Sequence, residues 1–365
     1  MLFEPGLIGN LELPNRLVRS ATAEKMADPS GAPLPKLHDL YSELAQGEVG
    51  LIITGHLYID EGGKCHQEMT GIHRDELIPD LKKLTRTVQE HQGKIVAQIN
   101  HGGGNCSPET VQEPVAPSNT ADALYKQPPR ALQDQEIKEL ISAFAQAARR
   151  AQKAGFDGVQ IHGAHGYLIS QFLSPLSNQR DDRWGGNLEN RSRFLRKVSR
   201  AVRQEVGPDY PVLIKLGLAD GPEGGLTVAE GAQLASRLED LGLDGLEIST
   251  GFSGERFRSI QKGIRRPDEE AYLLPLVKQA RPETNLPILA VGGYRSRKVM
   301  EQVLLGGWAE FISLSRPLIR EPSLPKLFRE GKRAQSQCLS ANNCWPESTG
   351  EGISCKCPPV PEDKG

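Results

Sequence analysis

The chain is predicted to be an α/β protein built as a (β/α)8 barrel, and three observations lead there. Eight short runs rich in Ile, Val and Leu are spaced along it. Segments with apolar residues at helical spacing lie between them. No Gly-x-Gly-x-x-Gly turn follows the first run and no Walker-type loop occurs, which counts against an open doubly wound sheet. The runs are continuously apolar rather than alternating, as strands of a parallel sheet buried on both faces require. Eight strand–helix repeats is the count of a (β/α)8 TIM barrel.

Taken in order, Leu2–Leu13 precede the first run and are expected to cover one end of the barrel. Strands are expected at Arg16–Ser20, Gly50–Thr54, Lys94–Ile99, Gly158–Ile161, Val212–Leu216, Gly245–Ser249, Pro287–Val291 and Glu310–Leu314. Helices are expected at Asp134–Ala154, Asn187–Val206, Val228–Leu241 and Arg295–Leu305. Asp134 reads as an N-cap, with Ile137, Leu140, Ile141, Phe144 and Ala148 at helical spacing behind it. Thr227 precedes its helix with Glu230 three residues on, a capping-box spacing. Gly155, Gly242 and Gly306 stand where such helices should end. The catalytic barrel is expected to occupy residues 1–330, followed by a cysteine-containing tail, 331–365.

Composition narrows the class. Of 365 residues, 38% are hydrophobic and 25% charged, a globular balance. The net charge of −2 comes from acidic and basic residues mixed along the chain, which argues against nucleic acid or a membrane surface as the main partner. No apolar run approaches transmembrane length. The start, Met1-Leu-Phe-Glu-Pro-Gly6, does not read as a secretory signal, so a cytoplasmic location is expected. Six cysteines in so long a chain do not suggest a disulfide scaffold.

In such a barrel, chemistry sits where strands end. Those positions carry Ser20, Ala21, Thr22 and Ala23; Gly55 and His56; Gln98, Asn100 and His101; His162, His165 and Tyr167; Lys215; Ser249, Thr250 and Gly251; Gly292 and Gly293; Ser315 and Arg316. His162, His165 and Tyr167 are interleaved with small residues that let the backbone turn sharply. Two imidazoles and a phenol in one space could hold a carbonyl oxygen and deliver a proton beside it. Taken alone, His-x-x-His reads rather as a metal half-site or a hydrogen-bonded core pair. Glycine amides and a guanidinium after the last two strands are phosphate donors. Gln98 and Lys215 flank the histidine turn; an amide and a fixed cation suit a flat heterocycle that becomes anionic. FMN fits that description.

The segment from His162-Gly-Ala-His-Gly-Tyr167 through Arg180-Asp-Asp-Arg-Trp-Gly-Gly-Asn187 to Phe194 resembles the signature of the Old Yellow Enzyme family of FMN oxidoreductases. Leu13-Pro-Asn-Arg-Leu-Val-Arg-Ser20, Gln98-Ile-Asn-His-Gly-Gly103 and Ser313-Leu-Ser-Arg-Pro-Leu-Ile-Arg-Glu-Pro322 match in the family's order, and the resemblance covers roughly residues 1 to 330. The last of these motifs and the cysteine-bearing tail are most similar to the branch that includes 2,4-dienoyl-CoA reductases. The resemblance implies that Ala21, Thr22, Ala23 and Gly55 line the flavin, that Gln98 meets its pyrimidine edge and that Lys215 stabilises its reduced charge. It implies that Gly292, Gly293, Ser315 and Arg316 hold the phosphate. His162 and His165 would grip a carbonyl oxygen, and Tyr167 would protonate Cα after hydride reaches Cβ from flavin N5. NADH or NADPH would be the reductant and an α,β-unsaturated carbonyl compound the substrate, with no nucleic acid or membrane partner and a homo-oligomer admitted.

Other readings stand beside these. Amine dehydrogenation or demethylation is the alternative within the family, a Schiff-base lyase using Lys215 the alternative outside it. A barrel that binds flavin without catalysis is a third. Tyr167 reads otherwise as a packing phenol and Arg316 as a surface ion pair. His101, Arg180, Asp182, Arg183 and Trp184 are read as scaffolding, and the charges between Arg191 and Arg203 as a solvated helix face. Ala23 departs from family members with a cysteine or threonine there, and Ser315 from a frequent glycine. In the tail, Cys338, Cys344, Cys355 and Cys357 resemble an iron–sulfur motif in which Ala341 takes the second cysteine's slot. A cluster is therefore not expected; a zinc site of those four cysteines and a degenerate remnant are the readings left. Loops 105–127 and 252–266 are expected to select the substrate.

Overall fold

The structure, a computed structural model, describes residues 1–120 and 124–359; positions 121–123 of the first substrate loop and the last six residues of the expected tail lie outside the described residues. Eight parallel strands form a closed ring: β1 (Leu17–Arg19), β2 (Leu51–Ile53), β3 (Ile95–Asn100), β4 (Gly158–Gly163), β5 (Val212–Gly217), β6 (Gly245–Ser249), β7 (Ile288–Val291) and β8 (Phe311–Leu314). Each pairs with the next, and β8 pairs back onto β1. Closure leaves the eight-stranded ring itself without an open edge. Every strand end falls within two residues of the expected one.

Side-chain alternation divides the barrel interior into two layers. Val18, Leu51, Ile53, Val96, Leu213, Leu289 and Phe311 form an apolar cluster with Ile8, Leu11 and Leu13. Those last three belong to an antiparallel hairpin, Gly6–Ile8 against Leu11–Leu13, so the expected N-terminal cover is a plug in the barrel floor. Two residues further along β3, β5 and β8, and just past β1, the inward side chains turn polar: Gln98, Lys215, Ser313 and Ser20. Outward side chains pack against the helices in a second, larger cluster.

The helices are α1 (Pro35–Gln46), α2 (Ile78–Gln89), α3 (Asp134–Lys153), α4 (Leu168–Leu173), α5 (Leu188–Arg191), α6 (Arg193–Val206), α7 (Val228–Ala235), α8 (Leu274–Ala280), α9 (Arg297–Leu305), α10 (Arg316–Arg320) and α11 (Leu324–Arg329). The Thr227–Glu230 capping box forms: Thr227 Oγ1 accepts from the Glu230 amide at 3.2 Å, and the Glu230 carboxylate accepts from the Thr227 amide at 3.0 Å. Three expectations are corrected. The N-cap of α3 is Gln133, not Asp134; the Gln133 amide donates to Glu136 at 2.8 Å, while Asp134 is spent accepting from Trp184 Nε1 at 2.8 Å. The single helix expected over 187–206 breaks at Ser192, and α7 stops at Ala235 before a separate 3₁₀ turn, Glu239–Leu241. The solvated face expected between Arg191 and Arg203 holds for Lys197 and Arg200, which are exposed, but not for the two arginines at its ends. Arg191 is only 5% exposed and donates to the carbonyls of Leu173 and Gly186 while pairing with Glu230. Arg203 caps the carbonyls of Gly207, Tyr210 and Gly242 and pairs with Asp244 at 2.6 Å.

The scaffolding residues behave as such. Arg180 grips Asp182 and the carbonyls of Pro117 and Leu132. His101 accepts from the Gly103 amide at 3.0 Å. The described part of the tail folds back over the C-terminal ends of the strands. The Ile353 amide donates to the Glu24 carbonyl at 2.8 Å, the Gly263 amide to Ser340 at 3.0 Å, and Arg320 to the Cys357 carbonyl at 2.6 Å. Among the described residues, no helix is long and apolar enough to cross a membrane.

Candidate active site

A cavity of about 370 Å³ opens at the C-terminal ends of the strands. Ala21, Thr22, Ala23, Gln98, His162, His165, Tyr167, Lys215, Gly293, Ser315 and Arg316 all line it, so eleven of the thirteen expected site residues converge. Gly55 and Gly292 are not among its lining. The Gly55 amide is taken by the Glu24 carboxylate at 2.9 Å, and the Gly292 carbonyl by the Tyr272 amide at 3.1 Å; both glycines serve turns behind the wall.

The histidine turn is built by an unusual backbone. His165 at φ +60° and Gly166 at φ +70° both occupy the left-handed region, which reverses the chain within two residues. A Cβ on Gly166 would sit 2.9 Å from the Phe252 ring, so only glycine fits without displacement. The two imidazoles stand edge to face, centroids 5.0 Å apart, but are not equivalent. His162 Nδ1 accepts from the Ala164 amide at 3.3 Å, which leaves the proton on Nε2. His165 Nε2 lies 2.8 Å from the Ser249 hydroxyl, so its uncommitted nitrogen is Nδ1. Burial holds both imidazoles well below their usual pKa, with neighbouring Lys215 and His56 pushing the same way. Both rings are therefore neutral near pH 7.

Tyr167 lies with its ring 4.9 Å from His162 and 5.0 Å from His56. Among the described residues its hydroxyl has no hydrogen-bond partner. Burial raises its pKa, so the phenol keeps its proton across the working pH range.

The floor is polar. Lys215 Nζ donates to Ser20 Oγ at 2.7 Å and lies 3.3 Å from the buried Glu247 carboxylate. Gln98 Nε2 donates to Gln160 at 2.7 Å, which leaves the Gln98 carbonyl for the cavity. Ser313 Oγ is buried with no partner among the described residues. At the far end, Arg316 donates to the Gln261 carbonyl at 2.8 Å, the Ser340 carbonyl and the Asn342 side chain. All three acceptors are neutral and, among the described residues, no carboxylate pairs with it, so the surface ion-pair reading finds no support there. Ser315 ties to Thr22 at 2.8 Å.

Sequence reasoning had left several lining residues without a role. His56 was visible only as a strand-end residue; it accepts from Asn100 at 2.9 Å, and burial lowers its pKa to about 4. Asn342, Cys344, Trp345 and Ile353 come from the tail, whose irregular backbone has no period to reveal which side faces inward. Among the described residues of the two expected substrate loops, only those after β6 reach the lining, through Ser259 and Ile260. Cys338 and Cys344 are buried, Cys355 and Cys357 half-buried, and all are free. Among the described residues no three or more His, Cys, Asp or Glu side chains are grouped to hold a metal ion, so the four-cysteine zinc reading has no geometry behind it.

A family model described as the NADH:flavin oxidoreductase / NADH oxidase family matches residues 1–335. The chain belongs to that family. It is 35% identical over 345 residues to an NADH oxidase of Thermoanaerobacter brockii, covering 93% of this chain and 52% of that one. It is 35% identical over 326 residues to an NADPH dehydrogenase of a Geobacillus species, covering 89% and 92%. The fold is similar to a solved 2-naphthoyl-CoA reductase in complex with 2-naphthoyl-CoA, with a TM-score of 0.86, 29% identity, and coverage of 92% of this chain and 54% of the other. The chain thus spans about half the length of the NADH oxidase and of the naphthoyl-CoA reductase. The Old Yellow Enzyme resemblance is borne out at family level, and so is the barrel.

The residues fit the family's FMN. An unpartnered Ser313 hydroxyl and the Gln98 carbonyl face the place where a polar ring edge would lie, above a lysine ammonium. Arg316, with neutral partners only, would hold the phosphate.

Proposed function

We propose that this protein is an FMN-dependent oxidoreductase that uses NADH or NADPH to reduce the C=C bond of α,β-unsaturated carbonyl compounds. The observation that carries this is a neutral imidazole donor, His162 Nε2–H, and a protonated, unpartnered phenol, Tyr167, facing one cavity above the Lys215 ammonium. Bound FMN would supply the hydride chemistry, taking a hydride from the nicotinamide and giving one to Cβ.

The side chains do the rest. His162, with His165 beside it, holds the carbonyl oxygen and draws electron density toward it, which makes Cβ electrophilic. Tyr167 delivers a proton to Cα, general-acid work typically contributing about 10²–10⁴-fold. Lys215 supplies fixed positive charge where negative charge develops. Arg316 and Gly293 anchor the phosphate end. The names of the NADH oxidase and NADPH dehydrogenase relatives support a nicotinamide donor. The naphthoyl-CoA complex supports an unsaturated carbon beside an activated carbonyl as the substrate bond.

The alternatives find less support. No residue lining the cavity is acidic; the Glu247 carboxylate lies buried behind Lys215, so the wall itself offers a cationic amine no anion. Lys215 Nζ is committed to Ser20 at 2.7 Å and lies 3.3 Å from Glu247, so it is engaged in the floor network rather than offered to a carbonyl carbon. Six free cysteines suit a reducing compartment, so a cytoplasmic location belongs to the same reading.

The test is an absorbance spectrum of the purified protein followed by stopped-flow mixing. A flavin band that bleaches with NADH or NADPH and returns on adding cyclohexenone or maleimide is expected. A protein that binds no FMN, or whose band returns with neither compound, would overturn the proposal.

A further inference from the structure

Five polar side chains form one hydrogen-bonded chain across the cavity floor. Ser20 Oγ accepts from Lys215 at 2.7 Å and donates to Glu247 at 2.6 Å. Gln160 Nε2 donates to the other Glu247 oxygen at 3.0 Å, and the Gln160 carbonyl accepts from Gln98 Nε2 at 2.7 Å. Lys215 also lies 3.3 Å from Glu247. Glu247 and Gln160 are both fully buried, and neither lines the cavity.

The polarity of this chain runs one way. Ser20 and Gln160 donate to Glu247 with the Lys215 ammonium beside it, and an ionised carboxylate can only accept. Gln160 must therefore turn its NH₂ toward Glu247 and its carbonyl toward Gln98. Gln98 must in turn spend its NH₂ on Gln160 and present its carbonyl to the cavity. Amide orientation is ordinarily ambiguous, but here the acceptor at the end of the line dictates it. The same carboxylate stands behind the Lys215 ammonium and offsets part of its charge as felt in the cavity. A buried ion pair gives little or no net stability over a well-packed apolar pair, so stability alone does not account for it.

We propose that Glu247 is a positioning residue for the flavin: it sets which end of the Gln98 amide meets the ring and how much positive charge Lys215 exerts on it. The inference rests on the FMN reading of the site. A flavin gains negative charge on reduction, so removing the charge behind Lys215 favours the reduced form. In Glu247→Gln the directional signal is also lost, and Gln98 is free to present its NH₂ instead.

The experiment uses the FMN-loaded protein and measures midpoint potential and flavin absorbance. Glu247→Gln is expected to shift the oxidised–reduced balance toward reduced flavin by about tenfold or more, a positive shift of about 30 mV for a two-electron couple. Glu247→Asp, which keeps the charge, is expected to stay near the parent. Gln160→Leu cuts the amide arm but leaves the ion pair; it is expected to alter flavin absorbance and FMN affinity with a smaller change in potential, and it remains informative if Glu247→Gln does not fold. Parent-like potential and absorbance in FMN-loaded Glu247→Gln would overturn the proposal, as would parent-like absorbance and affinity in Gln160→Leu. A parent protein that binds no FMN would instead overturn the reading of the site itself, which keeps the two failures apart.

Discussion

Replacing Tyr167 with phenylalanine removes one oxygen from the cavity wall and little else. Among the described residues that oxygen makes no hydrogen bond, and the ring's contacts with His162 and His56 survive. Stability is expected to change by less than about 0.5 kcal/mol, the range of substitutions that break no packing or polar network. The chemical cost is larger. Burial keeps the phenol protonated, so the parent always has its acid in place, whereas the variant must take the proton from water. Loss of a positioned acid is worth about 10²–10⁴-fold, or roughly 3–5 kcal/mol of barrier. Stopped-flow absorbance separates the halves of the cycle. Flavin reduction by NADH or NADPH is expected to remain within a few-fold of the parent, and reoxidation by cyclohexenone to slow by about 100-fold or more. Reoxidation by ferricyanide, which needs no carbon protonated, is expected to stay unchanged. Parent-like reoxidation by cyclohexenone would refute the acid role. An equal loss in both half-reactions would also refute it, and would make Tyr167 a residue that seats the ring of either reactant.

Three further predictions concern the frame around that proton. His56 and His101 are held neutral by burial, their pKa lowered from 6.5 to about 4. Below pH 6.5 the unfolded chain takes up protons that the folded one refuses. Stability is thus complete above about pH 6.5 and falls toward pH 4, by up to about 1.4 kcal/mol per pH unit for each such histidine. Urea midpoints that do not fall between pH 7 and pH 5 would contradict this. Arg316→Ala is expected to weaken FMN binding by roughly 10–100-fold, one charge-assisted contact, while leaving riboflavin binding unchanged. Equal losses in titrations with both would show that Arg316 matters through the tail it anchors and not through phosphate. Ile8→Ala, in the hairpin plug, is expected to lower unfolding free energy by about 2–5 kcal/mol with FMN stoichiometry intact. A denaturation curve matching the parent's would mean the plug is not part of the cooperative core.

How far the sequence could be read depended on whether a residue's environment is set by its own strand. His162, Tyr167, Lys215 and Gln98 sit on or just after strands whose apolar runs announce them, and barrel closure carries them to one cavity. Arg191 was misjudged because its neighbours carry helix-surface charges, while its own guanidinium meets carbonyls of Leu173 and Gly186 on either side of a loop whose path no periodicity records. The tail is the larger case. Trp345 and Ile353 reach the cavity because the Glu24 carbonyl and the Arg316 and Arg320 guanidiniums draw irregular chain across the barrel mouth, and each of those contacts joins positions far apart in sequence.

The polar floor lies between these extremes, and its logic was available in principle. A lysine or glutamate in the middle of a strand buried on both faces needs a partner at its own height. In register, Lys215 faces Glu247 across β5 and β6, and Gln98 faces Gln160 across β3 and β4. Two positions below on the same strands, Leu213 and Val96 belong to the apolar cluster sealed by the hairpin. Stability and chemistry are thus stacked along one axis, two residues apart. A change in the lower layer should move the denaturation midpoint and spare the spectrum of bound flavin. A conservative change in the upper layer should alter the spectrum and potential much more than the midpoint.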